Sequence, residues 1–171
     1  MESLQSLREL SMANCDVFVW PEEFWNFSSL EYLDVSQNFF TGLLGPWFSS
    51  MKKIRVLNAS DTESASMILN ISDIWNVESL EVLNLSFTRN LDEIPQQDYL
   101  SNIMRLPNLI VVDVDGMNIT DISPLADINM HETLEVLYIS DELHGFSNIS
   151  TLLSNFNCTG QDRVTCERVQ F

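Results

Sequence analysis

The stretch Leu30-Glu31-Tyr32-Leu33-Asp34-Val35-Ser36-Gln37-Asn38-Phe39-Phe40-Thr41-Gly42 contains the pattern that organises the chain. It follows the line apolar, any, any, apolar, any, apolar, with Leu30, Leu33 and Val35 in the apolar places. The alternation around Leu33 and Val35 predicts a short strand in which every second side chain points inward. Such a strand forms one layer of a repeat, and it needs the strand of another repeat on each side to pair with.

The same line occurs six times along the chain. Its members are Leu7-Leu10-Met12, Leu30-Leu33-Val35, Ile54-Leu57-Ala59, Leu80-Leu83-Leu85, Leu109-Val112-Val114 and Leu134-Leu137-Ile139. The repeats therefore start near residues 7, 30, 54, 80, 109 and 134, between 23 and 29 residues apart. A period in this range is typical of arrays in which each turn supplies one strand to a parallel sheet.

On these residues the sequence resembles the leucine-rich repeat family over residues 1–157. The second repeat is similar to the plant-type repeats of extracellular receptors, and Asn118-Ile119-Thr120-Asp121-Ile122-Ser123-Pro124-Leu125 is similar to internalin-type repeats. The resemblance implies an α/β solenoid of about six to seven turns, with a parallel concave β-sheet and short helices or 3₁₀ turns on the convex side. Residues 158–171 are then a cysteine-containing cap or the start of a further segment.

Some positions depart from the regular pattern. The place that holds Asn in this family is occupied by Cys15, Asn38, Thr62, Thr88, Met117 and Glu142. Thr and Cys can replace part of the hydrogen bonding of Asn, and Cys15 is expected to be a buried, inert thiol. The repeat from Leu80 is the longest, which predicts a surface loop within Asn90–Leu100. The apolar spacing of Ile149, Leu152, Leu153 and Phe156 predicts a last amphipathic helix.

Composition narrows the choice of partners. The 171 residues are 45% hydrophobic but carry a net charge of −17, which disfavours nucleic acid and anionic lipid. Because no apolar run approaches the roughly 18 residues of a membrane helix, no membrane insertion is expected. The chain starts within a repeat with no polar cap ahead of it, which indicates either further repeats upstream or a cover over the first turn. No secretory signal is visible at its start.

The outward strand positions form two columns that predict a binding surface. One column runs Glu9, Tyr32, Val56, Val82, Val111, Val136, and the next runs Ser11, Asp34, Asn58, Asn84, Asp113, Tyr138. The predicted ligand contacts are Tyr32, Asp34, Val56, Asn58, Val82, Asn84, Val111, Asp113, Val136 and Tyr138. An apolar stripe with an acidic border suits a protein or peptide ligand with basic and apolar groups. The residues of this expected border are Asp34, Asp61, Asp113, Asp115 and Asp141. The alternative is that Val here reflects strand propensity alone.

Seven Asn-x-Ser/Thr sequons occur, more than chance predicts. The strand consensus explains Asn58 and Asn84, and the predicted glycosylation sites are Asn26, Asn70, Asn118, Asn148 and Asn157. Cys158 and Cys166 are similar to the cysteine pairs that cap plant-like repeat proteins, which implies a disulfide. The alternative is two free thiols in a reducing compartment.

Catalysis has no support in the sequence. We find no nucleophile–base pair, metal-ligand spacing or phosphate-binding loop, and His131 and His144 lie in separate repeats. We therefore predict no enzyme activity, metal or cofactor. The prediction is a recognition domain of a secreted or cell-surface protein; the alternative is a cytoplasmic scaffold or regulatory subunit with unused sequons.

Overall fold

The computed structural model describes most of the repeat strands and part of the segments between them. The described residues are 5–19, 27–40, 50–62, 77–88, 96–117, 119, 125, 132–140, 154–160 and 163–169. Among them, no helix is both long enough and apolar enough to cross a bilayer.

A single sheet of eight strands runs through the described residues. The strands are β1 Glu9–Ser11, β2 Tyr32–Asp34, β3 Val56–Asn58, β4 Val82–Asn84, β5 Val111–Asp113, β6 Val136–Ser140, β7 Phe156–Thr159 and β8 Arg163–Arg168. They lie in the order β1-β2-β3-β4-β5-β6-β8-β7. The first six strands are parallel and follow chain order, whereas β8 pairs antiparallel with both β6 and β7.

The second residue of each parallel strand points into the core. The inward residues Leu33, Leu57, Leu83, Val112 and Leu137 are buried, and each lies opposite the next in register. Leu10 of β1 is only half-buried, because no described strand pairs with its other side. Burial of these aliphatic side chains between turns stabilises each by roughly 1.5–3 kcal/mol. The parallel solenoid predicted from the repeat line is confirmed.

One helix is described between the strands. Helix α1 spans Gln96–Ile103 and buries Leu100 and Ile103 against the core. Residues 96–100 of the segment Asn90–Leu100, which is expected to include a surface loop, are therefore helical, and residues 90–95 lie outside the described residues.

Each of the first five turns leaves its strand through the same backbone step. The third residue after the strand has positive φ in every case: Asn14, Gln37, Asp61, Phe87 and Gly116. Glycine is required at position 116 for two reasons. Its φ is +66°, and a Cβ there would collide with the ring of Phe87. Phe87 of one turn is thus packed directly on the backbone of the next.

The buried Asn38 side chain ties the first two turns together. Its Nδ2 donates to the carbonyls of Met12 at 2.8 Å and of Val35 and Ser36 at 2.9 Å. Its Oδ1 accepts from the backbone N–H groups of Cys15 and Val17 at 3.2 and 3.0 Å. These bonds satisfy backbone carbonyls and amides of the two turns, and the Ser36 carbonyl also accepts from the Asn14 N–H at 3.0 Å.

Thr replaces this network only in part, as the sequence predicts. The hydroxyls of Thr62 and Thr88 both donate to the carbonyl of Ala59, at 3.1 and 3.0 Å. The expectation that Cys15 is buried is wrong. Its backbone N–H is satisfied by Asn38, but its thiol is exposed and donates to Ala13 O at 3.4 Å.

The last two strands form a cap at the end of the array. Cys158 and Cys166 face each other across β7 and β8 and form the disulfide that the sequence resemblance implies. Cys166 also lies opposite Leu137, so the bridge continues the inward column. Phe156 belongs to β7 rather than to the predicted helix, whose other residues, Ile149, Leu152 and Leu153, lie outside the described residues. The Phe156 side chain is buried as part of this hairpin, and the Arg168 guanidinium lies over its ring, 4.9 Å from the ring centre.

Replacing Asn38 with Ala is expected to lower the free energy of unfolding by about 2–5 kcal/mol, because it leaves several backbone groups without partners. Thr62→Val removes one hydrogen bond and should cost about 1 kcal/mol. Urea unfolding followed by circular dichroism gives both values. Equal losses for the two variants would show that the Asn38 network is not the stronger link.

Candidate functional site

The first outward column runs unbroken across the sheet. Glu9, Tyr32, Val56, Val82, Val111 and Val136 are paired each with the next in register, as the sequence predicts. We call Val56, Val82, Val111 and Val136 the valine stripe. Neighbouring strands of a sheet lie about 4.8 Å apart, so the four side chains present one continuous apolar band.

The valine stripe belongs to the surface rather than to the core. All four residues are half-buried, whereas Val112, which alternates with Val111 along β5, is fully buried. Contact between neighbouring valines accounts for the partial burial, and their outer faces remain accessible. A row of aligned apolar groups open to solvent is the arrangement that protein and peptide ligands cover.

The second column is polar, and several of its side chains form hydrogen bonds to the turn that follows their own strand. Asp34 Oδ1 accepts from the Ser36 N–H and hydroxyl at 3.0 and 2.7 Å, and Asn84 Oδ1 accepts from the same groups of Ser86 at 2.9 and 2.8 Å. Asn58 makes the equivalent bond to the Ser60 N–H. These local bonds fix the side chains in place and leave their remaining lone pairs and donors on the concave face.

The expected acidic border is reduced at one point. Asp113 lies in the second column between Asn84 and Tyr138, but only 8% of it is exposed, and its Oδ1 accepts from the Asp115 N–H at 3.1 Å. Asp115 is 4% exposed. Both carboxylates are turned toward the protein and offer little surface to a ligand. Asp34 and Asp61 remain accessible, and Asp141 lies outside the described residues.

Tyr32 links the apolar stripe to the acidic end of the face. Its hydroxyl donates to Asp34 Oδ2 at 3.4 Å. Burial raises the pKa of Tyr32, and the charge and hydrogen bond of Asp34 and the charge of Glu9 raise it further. Since Glu9 acts on Tyr32 across the strand pair, both side chains belong to the same electrostatic surface.

Basic residues are placed on the flank where the strands begin. Arg55 forms a two-pronged ion pair with Glu81, at 2.8 and 2.7 Å, and Arg8 lies 3.6 Å from Glu31. The hydrogen bonds between Arg55 and Glu81 raise the pKa of Arg55 and lower the pKa of Glu81. An open groove of about 830 Å³ on this flank also includes Lys52 and Lys53. Neither outward column contains a basic residue in the described strands.

The cap extends the first column beyond the sequence prediction. Val136 lies opposite Glu167, and Glu167 lies opposite Asn157, so the column ends in an exposed carboxylate and an exposed sequon asparagine. Sequence reasoning missed Glu167 because β8 is antiparallel and carries no repeat line. The alternation of Val164 and Cys166 with polar residues was the available signal.

The remaining site predictions divide between described and undescribed residues. Asn157 is exposed on β7, whereas Asn26, Asn70, Asn118 and Asn148 lie outside the described residues, as do His131 and His144. Within the described ranges no group of three acidic, Cys or His residues is arranged to hold a metal ion.

In a Tyr99→Phe/Tyr138→Phe background, Tyr32 is the sole tyrosine of the chain. We expect its phenolate to form above the ordinary pH range of tyrosine, as measured by ultraviolet absorbance. Asp34→Asn removes a charge that raises the pKa of Tyr32, so its titration should move to lower pH. Asp61→Asn is the control and should leave it in place; an unchanged midpoint in Asp34→Asn would contradict this electrostatic coupling.

Comparisons with known proteins agree with this architecture. The family model for the Leucine Rich Repeat matches residues 29–51. A search of curated protein sequences finds no match to the chain. The structure is similar to internalin C2 from Listeria monocytogenes, with a TM-score of 0.51 and 23% identity over 81% of this chain and 54% of the internalin.

It is also similar to the plant peptide hormone receptor RGFR1, solved in complex with RGF2, with a TM-score of 0.55 and 14% identity over 80% of this chain. The chain spans about half of the internalin and 25% of the receptor. Residues 29–51 are a leucine-rich repeat by sequence, and the described sheet as a whole has the leucine-rich repeat fold.

Proposed function

We propose that this chain is a non-enzymatic recognition domain that binds a protein or peptide through its concave sheet. The observation that carries the proposal is the valine stripe, four aligned and accessible apolar side chains on one face of a parallel sheet. A ligand that covers these side chains gains the free energy of burying apolar surface, and the protein needs no rearrangement to bind it. The similar fold of a plant peptide hormone receptor solved in complex with RGF2 supports a peptide as the ligand.

The polar column supplies the specificity in this proposal. Asn58 and Asn84 are held by their own turns, so they can bond a ligand backbone without first losing side-chain freedom. Tyr32 and Asp34 add an aromatic surface and a carboxylate at one end, and Tyr138 adds a second ring at the other. The acidic character of the face selects ligands with Lys or Arg beside apolar anchors.

We also propose that the domain belongs to a secreted or cell-surface protein. The Cys158–Cys166 disulfide supports an oxidising compartment, since such bridges do not persist in the cytosol. The exposed sequon at Asn157 supports the same location. A cytoplasmic scaffold is the alternative, in which the two cysteines are reduced and the sequons are unused.

Binding through the valine stripe can be tested with peptides selected from a displayed random library against the native chain. Val82→Arg plus Val111→Arg should weaken the recovered peptides by at least about ten-fold, because it places two charges in the apolar band. The matched control is Gln5→Arg plus Ser28→Arg, which adds the same charge at exposed turn positions. Fluorescence anisotropy measures both. Failure to recover any peptide, or equal affinity for both variants, would refute binding at the valine stripe.

Compartment is tested on protein isolated from its native cells. The extracellular proposal predicts a mass shift after endoglycosidase treatment, a smaller shift for Asn157→Gln, and one titratable thiol in denaturant, that of Cys15. The intracellular alternative predicts no shift and three titratable thiols.

A further inference from the structure

The first outward column has a charged residue at each end of its apolar part. It begins at Glu9 on β1, continues through Tyr32 and the valine stripe, and reaches Glu167 on β8. Both glutamates are exposed, and no described side chain forms an ion pair with either of them. The column is therefore an apolar band with an exposed carboxylate at each end.

We infer that this column recognises an extended peptide that crosses the strands and carries two basic side chains about eight residues apart, with apolar residues between them. The inference rests on the proposed function of the concave sheet and adds the orientation, length and charge pattern of the ligand. Glu9 and Glu167 receive the two basic side chains, and the valine stripe receives the apolar ones.

Strand length determines the direction of the peptide. Each strand from β1 to β5 has only three residues, so a peptide lying along one strand would meet about 10 Å of sheet and a single outward valine. The apolar band instead runs perpendicular to the strands. A ligand reaches all four valines only by following the register from one turn to the next.

Strand spacing sets the length of the peptide. Glu9 and Glu167 are six strand intervals apart in the sheet order. At about 4.8 Å for each interval the separation along the sheet is about 29 Å. An extended chain advances about 3.4 Å for each residue, which places the two basic side chains about eight residues apart.

Charge distribution selects basic rather than acidic ends. The basic side chains Arg8, Lys52, Lys53 and Arg55 lie on the flank, and neither outward column of the described strands contains a positive charge. The field of Glu9 extends along the column, since Tyr32 responds to it. A peptide with acidic ends would bring like charges together at both glutamates and would be repelled.

The test is selection of a displayed random twelve-residue library against the native chain and against the Glu9→Lys/Glu167→Lys variant. The native chain should enrich pairs of Lys or Arg about eight positions apart with apolar residues between, and the variant should enrich Asp or Glu at the same spacing. Both positions are exposed, and circular dichroism confirms that the variant is folded. Enrichment of basic residues without a preferred spacing, or the same sequences from both chains, would overturn the inference.

Single neutral variants identify each end. Glu9→Gln and Glu167→Gln should each weaken a recovered peptide by about two- to five-fold, and each effect should vanish when the matching basic residue of the peptide is replaced by Ala. Glu78→Gln, exposed in a turn off the concave face, is the control and should have no effect. If Val82→Arg plus Val111→Arg abolishes binding while both glutamine variants bind normally, the inferred spacing and charge pattern of the peptide are wrong and the proposed function stands. If all variants bind equally, both the inferred peptide pattern and the proposed function are wrong.

Discussion

The structure depends on the residue-for-residue register between its parallel strands. Each backbone ladder pairs the middle residue of one strand with the middle residue of the next, so that Leu33, Leu57 and Leu83 meet inside the array. Amides that leave the strands continue the ladder, as when Val35 N–H donates to Asn58 O and Leu85 N–H donates to Asp113 O. A slip of one residue would reverse both faces, exposing the leucines and burying the valines. The core and the concave surface are therefore two results of one constraint.

The register also explains how much of the site could be read from the sequence. Where the repeat line is present, side-chain direction follows from alternation, and Val56, Val82 and Val111 lie where the line predicts. The disulfide between Cys158 and Cys166 is implied by their similarity to the cysteine pairs that cap plant-like repeat proteins. Glu167 could not be placed, because its strand is antiparallel and joins the sheet from a cap whose pairing no periodicity encodes. The burial of Asp113 was also beyond the pattern: it is 8% exposed, whereas Asp34 and Asn84, which accept the equivalent bond from the amide two residues on, are half-buried.

The turns allow sequence variation at positions where the backbone is constrained. Each of the first five turns has a left-handed residue three places after its strand, and the chain uses Asn, Gln, Asp, Phe and Gly there. The Phe87 ring in one turn is accommodated by Gly116 in the next, which pairs a bulky residue with the smallest one. The Asn of the family pattern occurs once, at Asn38, and bonds the turn before it. Thr62 and Thr88 sustain later turns with fewer bonds, since both donate to the single carbonyl of Ala59. Stability is therefore distributed unevenly along the array, whereas the concave columns remain straight.

Cysteine accessibility tests the register most directly. In a Cys15→Ser background, cysteines placed one at a time at Val56, Val82 and Val111 should react with a water-soluble thiol reagent at rates near those of the unfolded chain. Cysteines at the adjacent positions Leu57, Leu83 and Val112 should react at least about a hundred-fold more slowly, because they are exposed only when the array opens. Equal rates for the two sets, or faster reaction at the leucine positions, would contradict the arrangement on which the core and the binding surface both depend.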